Sequence, residues 1–126
     1  MPNSTDKYQL YRSYCLKASR DITKKYSTSF YSATNLFPSH IRQAIHSVYG
    51  FVRIADEIVD SFHRYDQEKL LNVFVQDYYA AYESGISINP IIHSFLLTVK
   101  QYAIPDEYIS WIFSFQITDR FFELPL

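Results

Sequence analysis

Apolar residues recur at three- and four-residue steps along most of the chain. That is the spacing of amphipathic helices. Tyr8, Tyr11, Cys15, Ala18 and Ile22 mark a first helix from about Asp6 to Tyr26, after a polar tail over residues 1–5. Ser27-Thr28-Ser29-Phe30-Tyr31-Ser32 is crowded with hydroxyls. Hydroxyls compete for backbone hydrogen bonds, so a break or bend is expected there. Pro38 suits a helix start because its missing N–H is not needed in the first turn. The second helix runs to about Phe62, with Ile41, Ile45, Val48, Val52, Ala55, Val59 and Phe62 as its apolar stripe. Asp66 reads as the cap of a third helix carrying Leu70, Leu71, Phe74, Val75, Tyr78 and Tyr82, and Gly85 as its stop. Asn89-Pro90 opens a fourth, with Ile92, Phe95, Leu96 and Val99. Pro105-Asp106-Glu107 opens a fifth, with Ile109, Ile112, Phe113, Phe115 and Ile117, its acidic residues placed at the positive helix end. The fold class expected is all-α, a helical bundle, with residues 6–126 forming a single domain.

Composition agrees. The chain has 126 residues, 48% of them hydrophobic and 20% charged. Wholesale disorder needs far less apolar content. Only two glycines occur, which disfavours P-loops, dinucleotide-binding loops and turn-rich β folds. With a net charge of −1, no basic field argues for nucleic acid or anionic lipid as a partner. The one cysteine, Cys15, excludes an intrachain disulfide and fits a reducing cytosol. It lies on the apolar side of its helix, where an inert buried thiol is the default. No secretory leader is seen at the start and no spanning apolar run exists. A cytoplasmic location is expected. His40, His46, His63 and His93 lack zinc-ligand spacing.

The second helix carries the chemistry. Tyr49, Arg53, Asp56 and Asp60 step by four, three and four residues. On a helix they form one row, with a phenol, a guanidinium and two carboxylates facing one way. Asp56 and Asp60 are candidate Mg²⁺ ligands, because magnesium takes one or two carboxylates and completes its shell with water and substrate phosphate. Arg53 is a candidate phosphate clamp. Tyr49 is placed to donate a hydrogen bond or to face a developing cation. Ser27 and Ser29 offer hydroxyls to phosphate oxygens. The plain alternative is a solvated acidic face whose repulsion Arg53 offsets, with Ser27 and its neighbours merely capping a helix.

Taken jointly, Ser27-Thr28-Ser29-Phe30, Leu36-Phe37-Pro38, Ala44, Tyr49, Arg53 and Asp56-Glu57-Ile58-Val59-Asp60 resemble the N-terminal part of squalene/phytoene synthases. These are head-to-head isoprenyl diphosphate synthases. The shared order and spacing cover about residues 8–62, and Asp-Glu-Ile-Val-Asp is closer to the phytoene-type wording. The resemblance implies an all-α isoprenoid synthase fold with an apolar cavity. It implies a transferase that joins two prenyl diphosphates, geranylgeranyl or farnesyl, in carotenoid or related isoprenoid biosynthesis. Asp56 and Asp60 would hold Mg²⁺, or Mn²⁺ in its place. Arg53, Ser27 and Ser29 would meet diphosphate, and Tyr49 with Arg53 would serve the reacting centre. An apolar product implies peripheral contact with membranes.

The family's second acidic row has no counterpart between Asp66 and Leu126. Asp106-Glu107 lacks a partner at the needed offset, and Asp119-Arg120 matches only a mid-chain region faintly. The length and the ending suggest an architecture stopped midway, as a truncation, a frameshift or one half of a split enzyme would give. Self-association, or pairing with a missing C-terminal half, is then expected. The rival reading is a catalytically inactive helical module acting through a partner.

Overall fold

A computed structural model describes residues 4–121, apart from the side chains of residues 4, 5, 115 and 117–121. The described residues form helices α1 (Ser4–Tyr26), α2 (Thr28–Ala33), α3 (Ser39–Ser61), α4 (Gln67–Ser84), α5 (Pro90–Tyr102) and α6 (Asp106–Phe121), with a 3-10 turn at Thr34–Leu36. No strand occurs among them. The all-α expectation holds. α1 begins at Ser4, inside the stretch read as a polar tail.

Local chemistry sets the boundaries. Asp66 accepts from the Lys69 N–H, and Gly85 closes α4 at φ 85°. The Asn89 side chain accepts from the N–H groups of Ile91 and Ile92. Ala103 ends α5 in the left-handed region, at φ 51°. Gln67 donates to the Ile58 and Val59 carbonyls at 3.0 and 2.9 Å. It thereby serves two of the carbonyls that the last turn of α3 leaves without helical partners.

The hydroxyl-rich segment holds the expected break. The break is confined to Ser27, whose extended backbone separates α1 from α2. Its hydroxyl oxygen accepts from the Phe30 N–H at 3.3 Å. The hydroxyls after it do not prevent a short helix, because Ser27 provides a cap for it.

α3 is the central element and packs against α1, α4, α5 and α6. Phe51 is fully buried. Its ring stacks on Phe95 at 3.9 Å and meets Phe74, Tyr78 and Phe113 at 5.0, 5.6 and 5.6 Å. Small residues meet where the helices pack. Gly50 faces Ser19 of α1, where an added Cβ would make an ordinary contact at 3.5 Å. Ser47 of α3 and Ser94 of α5 share a hydrogen bond of 2.7 Å.

The stripe drawn from the sequence of this helix needs correcting. Ala55 and Val59 are core residues, but Ile41, Ile45, Val48 and Val52 are only partly buried. The core face of α3 is instead His46, Ser47, Gly50, Phe51, Ala55, Ile58 and Val59. α3 is apolar on two faces, and one of them is left open.

Candidate functional site

The open face of α3 is the wall of an apolar groove of about 560 Å³. Ile41, Ile45, Val48 and Val52 line it from α3, Phe30 from α2, and Tyr102 from α5. Its volume falls in the range of about 300–1,000 Å³ common for small-molecule sites. Tyr49 also lines it and so belongs both to the groove and to the polar row.

The row itself is assembled as the helical spacing requires. Tyr49, Arg53, Asp56 and Asp60 are all partly buried on α3. The hydroxyl segment is pinned beside them from both of its ends. The Tyr26 ring lies 4.7 Å from the Arg53 guanidinium. The Phe30 ring stacks on Tyr49 at 5.1 Å. Ser27 and Ser29 lie between these two anchors in the chain, with Ser29 exposed. Ser27 uses its oxygen as an acceptor, which leaves its O–H proton to donate.

Arg53 does not face the two aspartates alone. It forms an ion pair with Glu57, one turn on. Burial pushes the Glu57 carboxyl up, but the Arg53 bond and the hydroxyls of Ser61 and Tyr26 outweigh it and hold the group below the usual carboxylate range. Burial likewise works against the Arg53 charge, and pairing with Glu57, aided by Asp56 and Tyr49, raises its pKa overall. Asp56 accepts from Gln116 of α6 at 3.0 Å. Two buried polar atoms at this end lack hydrogen-bond partners, Arg53 Nε and Gln116 Oε1. One is a donor and the other an acceptor.

Tyr26, Glu57 and Gln116 were not singled out by sequence reasoning. Glu57 carried a signal, since it stands four residues after Arg53. Gln116 carried none, being 60 positions from Asp56. The side chains of Asp119 and Arg120 lie outside the described residues, as do residues 122–126.

The acidic row is the place on this helix where the sequence put a divalent cation. It occupies the C-terminal half of α3, whose last turn has no basic residue. Helix carbonyls there add negative potential to that of the carboxylates. Among the described residues no group of three or more His, Cys, Asp or Glu forms a ready cage.

The described residues thus form an all-helical bundle in which an apolar groove lies beside a row of one cation and two carboxylates. The squalene/phytoene synthase family model matches residues 23–112, and the chain belongs to that family. It is 39% identical over 70 residues to a bifunctional lycopene cyclase/phytoene synthase of Blakeslea trispora. That match covers 52% of this chain and 12% of the relative. No solved structure gives a significant match. Among the described residues, no helix is long and apolar enough to cross a membrane.

Proposed function

We propose that this chain carries a prenyl diphosphate half-site of a head-to-head prenyltransferase, of the phytoene type rather than the squalene type. The observation that carries the reading is the continuity of the apolar groove with the polar row through Tyr49. An isoprenyl chain fits the groove and its diphosphate reaches Arg53 and the aspartates. The likeness to the Blakeslea lycopene cyclase/phytoene synthase favours the phytoene type.

Asp56 and Asp60 would hold Mg²⁺, or Mn²⁺ in its place, which when bound neutralises charge on a leaving diphosphate. Arg53 presents Nε, without a protein acceptor, to a diphosphate oxygen. Ser27 donates its O–H proton to another, and Ser29 lies close by in the chain. These donors stabilise the charge that develops as the C–O bond of one substrate breaks. Tyr49 faces the allylic carbon, its ring held by Phe30, where its π face favours positive charge. The groove gives that carbon an apolar lining. In the condensation, the double bond of the second prenyl diphosphate attacks the cation. Loss of a proton then closes a cyclopropane.

The test is calorimetric titration of the purified chain with geranylgeranyl and farnesyl diphosphate, with Mg²⁺ and with chelator. Saturable binding that needs Mg²⁺ is expected, lost in Asp56→Asn and Asp60→Asn and weakened about tenfold or more in Arg53→Ala, since bonds to charged groups contribute about 1.5–3 kcal/mol. Binding that ignores both metal and aspartates would sink the proposal. The second reading is a helical module that meets a partner through the open groove. The exposure of the groove wall favours it, and it requires partner binding indifferent to Asp60→Asn.

A further inference from the structure

A second concavity, of about 390 Å³, lies between α1 and the start of α3. It shares no lining residue with the apolar groove. Arg12, Lys17, Arg20 and Arg42 line it, with Ser39 and His46, and no carboxylate is among its lining residues. Four of the chain's 12 lysines and arginines therefore meet in one cleft of a protein whose net charge is −1.

Arg42 Nη2 donates to the Phe37 carbonyl at 3.3 Å, which steadies the guanidinium. Arg42 Nε is buried and has no hydrogen-bond partner. α3 starts at Pro38 without a side-chain cap, so its positive end has no side-chain acceptor of its own. His46, only 3% exposed, sits in the lining of the cleft. The Thr34 hydroxyl donates to the Tyr31 carbonyl at 2.6 Å, so the 2.9 Å contact from Thr34 to His46 is a bond donated by Nε2–H. Burial, with Arg42 and Arg20 nearby, pushes the imidazole pKa down and favours the neutral form.

A carboxylate would use two of the available donors. A tetrahedral phosphate, with more oxygens and up to two charges, matches three guanidinium groups and an ammonium better. We propose that this cleft binds a phosphate group, free or carried on a lipid headgroup, and does so without Mg²⁺. Leu36 and Phe37, 87% and 47% exposed, form an apolar tip beside Arg42, which gives the lipid source a physical basis.

The experiment has two arms, both run in chelator and in phosphate-free buffer. In one, the purified chain is titrated with inorganic phosphate by calorimetry. In the other, it is floated with phosphatidylcholine vesicles, with and without phosphatidic acid. Saturable binding is expected in at least one arm. It should weaken about tenfold or more in the Lys17→Ala/Arg20→Ala double variant and fall as salt rises. It should persist in Asp60→Asn. Lys17 and Arg20 are exposed, so the double variant keeps its fold, as circular dichroism will show. Binding of inorganic phosphate assigns the free anion. Binding only of vesicles with phosphatidic acid assigns the lipid headgroup. Absence of binding in both arms by the folded chain overturns the proposal, and so does binding that survives the double substitution.

Discussion

Phe51→Ala tests whether the core is centred where the geometry puts it. The ring is fully buried and is surrounded by Phe74, Tyr78, Phe95 and Phe113, drawn from α4, α5 and α6. Returning such a side chain to water forfeits about 1.5–3 kcal/mol of transfer free energy. The cavity left behind adds to this, because four rings on three helices cannot all close over it, and Phe→Ala changes at such sites cost about 3–5 kcal/mol. Each lost aromatic pair contributes about 0.5–1.5 kcal/mol beyond area, which points to the upper half of that range. A domain of this size has a total stability of about 5–15 kcal/mol, so the variant loses about a quarter of it or more. Urea unfolding followed by far-UV circular dichroism measures the loss. A midpoint shift equivalent to less than about 1 kcal/mol would refute the reasoning, since it would mean that α4, α5 and α6 do not converge on this ring.

Two histidines predict the pH dependence of stability. Burial, aided by Arg42 and Arg20 for His46 and by Arg12 for His93, lowers both folded pKa values below the ordinary 6.5. His93 is held neutral by its bonds, with Nδ1 accepting from the Ser87 N–H and Nε2 bonded to the Tyr8 hydroxyl at 3.2 Å each. The unfolded chain then binds more protons below about pH 6.5, so stability present above that pH declines as pH falls, by up to about 1.4 kcal/mol per pH unit for each histidine. Thermal melts between pH 7.5 and 5 should show this, and His93→Gln should reduce the slope; a flat profile would contradict the assignment. Two helix ends predict opposite signs from one cause. Gly85→Ala places a Cβ at φ 85° and should cost about 1 kcal/mol, whereas Ala103→Gly removes one at φ 51° and should stabilise by a fraction of that, both read as melting temperatures.

What was legible in the sequence was what is local. Asp66, Gly85 and Asn89-Pro90 announce their helix ends because a cap involves residues two to four apart. The polar row on α3 was legible for the same reason, as helical spacing alone aligns Tyr49, Arg53, Asp56 and Asp60. The two apolar faces of α3 were not separable by periodicity. Ile41, Ile45, Val48 and Val52 carry the same signal as a core stripe, and only the packing of α1 and α5 decides that Ser47, Gly50 and Phe51 go inward. Small residues in a core face are invisible to a search for large apolar ones. The bond from Gln116 to Asp56 joins positions too distant for any local rule. The net charge of −1 also concealed the cleft of Arg12, Lys17, Arg20 and Arg42, because an average says nothing about where charges lie.

The distribution of charge on α3 gives the polar row its character. Arg53 is placed three residues before Asp56 and four before Glu57, and on a helix both are within its reach. The structure pairs it with Glu57, while Asp56 takes a neutral amide from Gln116. A guanidinium on Asp56 would cancel the charge a divalent cation needs, and would have to be displaced before any metal could bind. Glu57 removes that competition and, by anchoring one edge of the guanidinium, leaves Nε buried and without a protein acceptor. Tyr26 on the ring side fixes the same group further. The five-residue run from Asp56 to Asp60 thus divides its carboxylates between two tasks. The middle one sets the arginine, and Asp56 is bonded to a neutral amide instead of the guanidinium. Such a division is what the proposed site requires, since a row of one arginine and three carboxylates within two turns could otherwise pair only with itself.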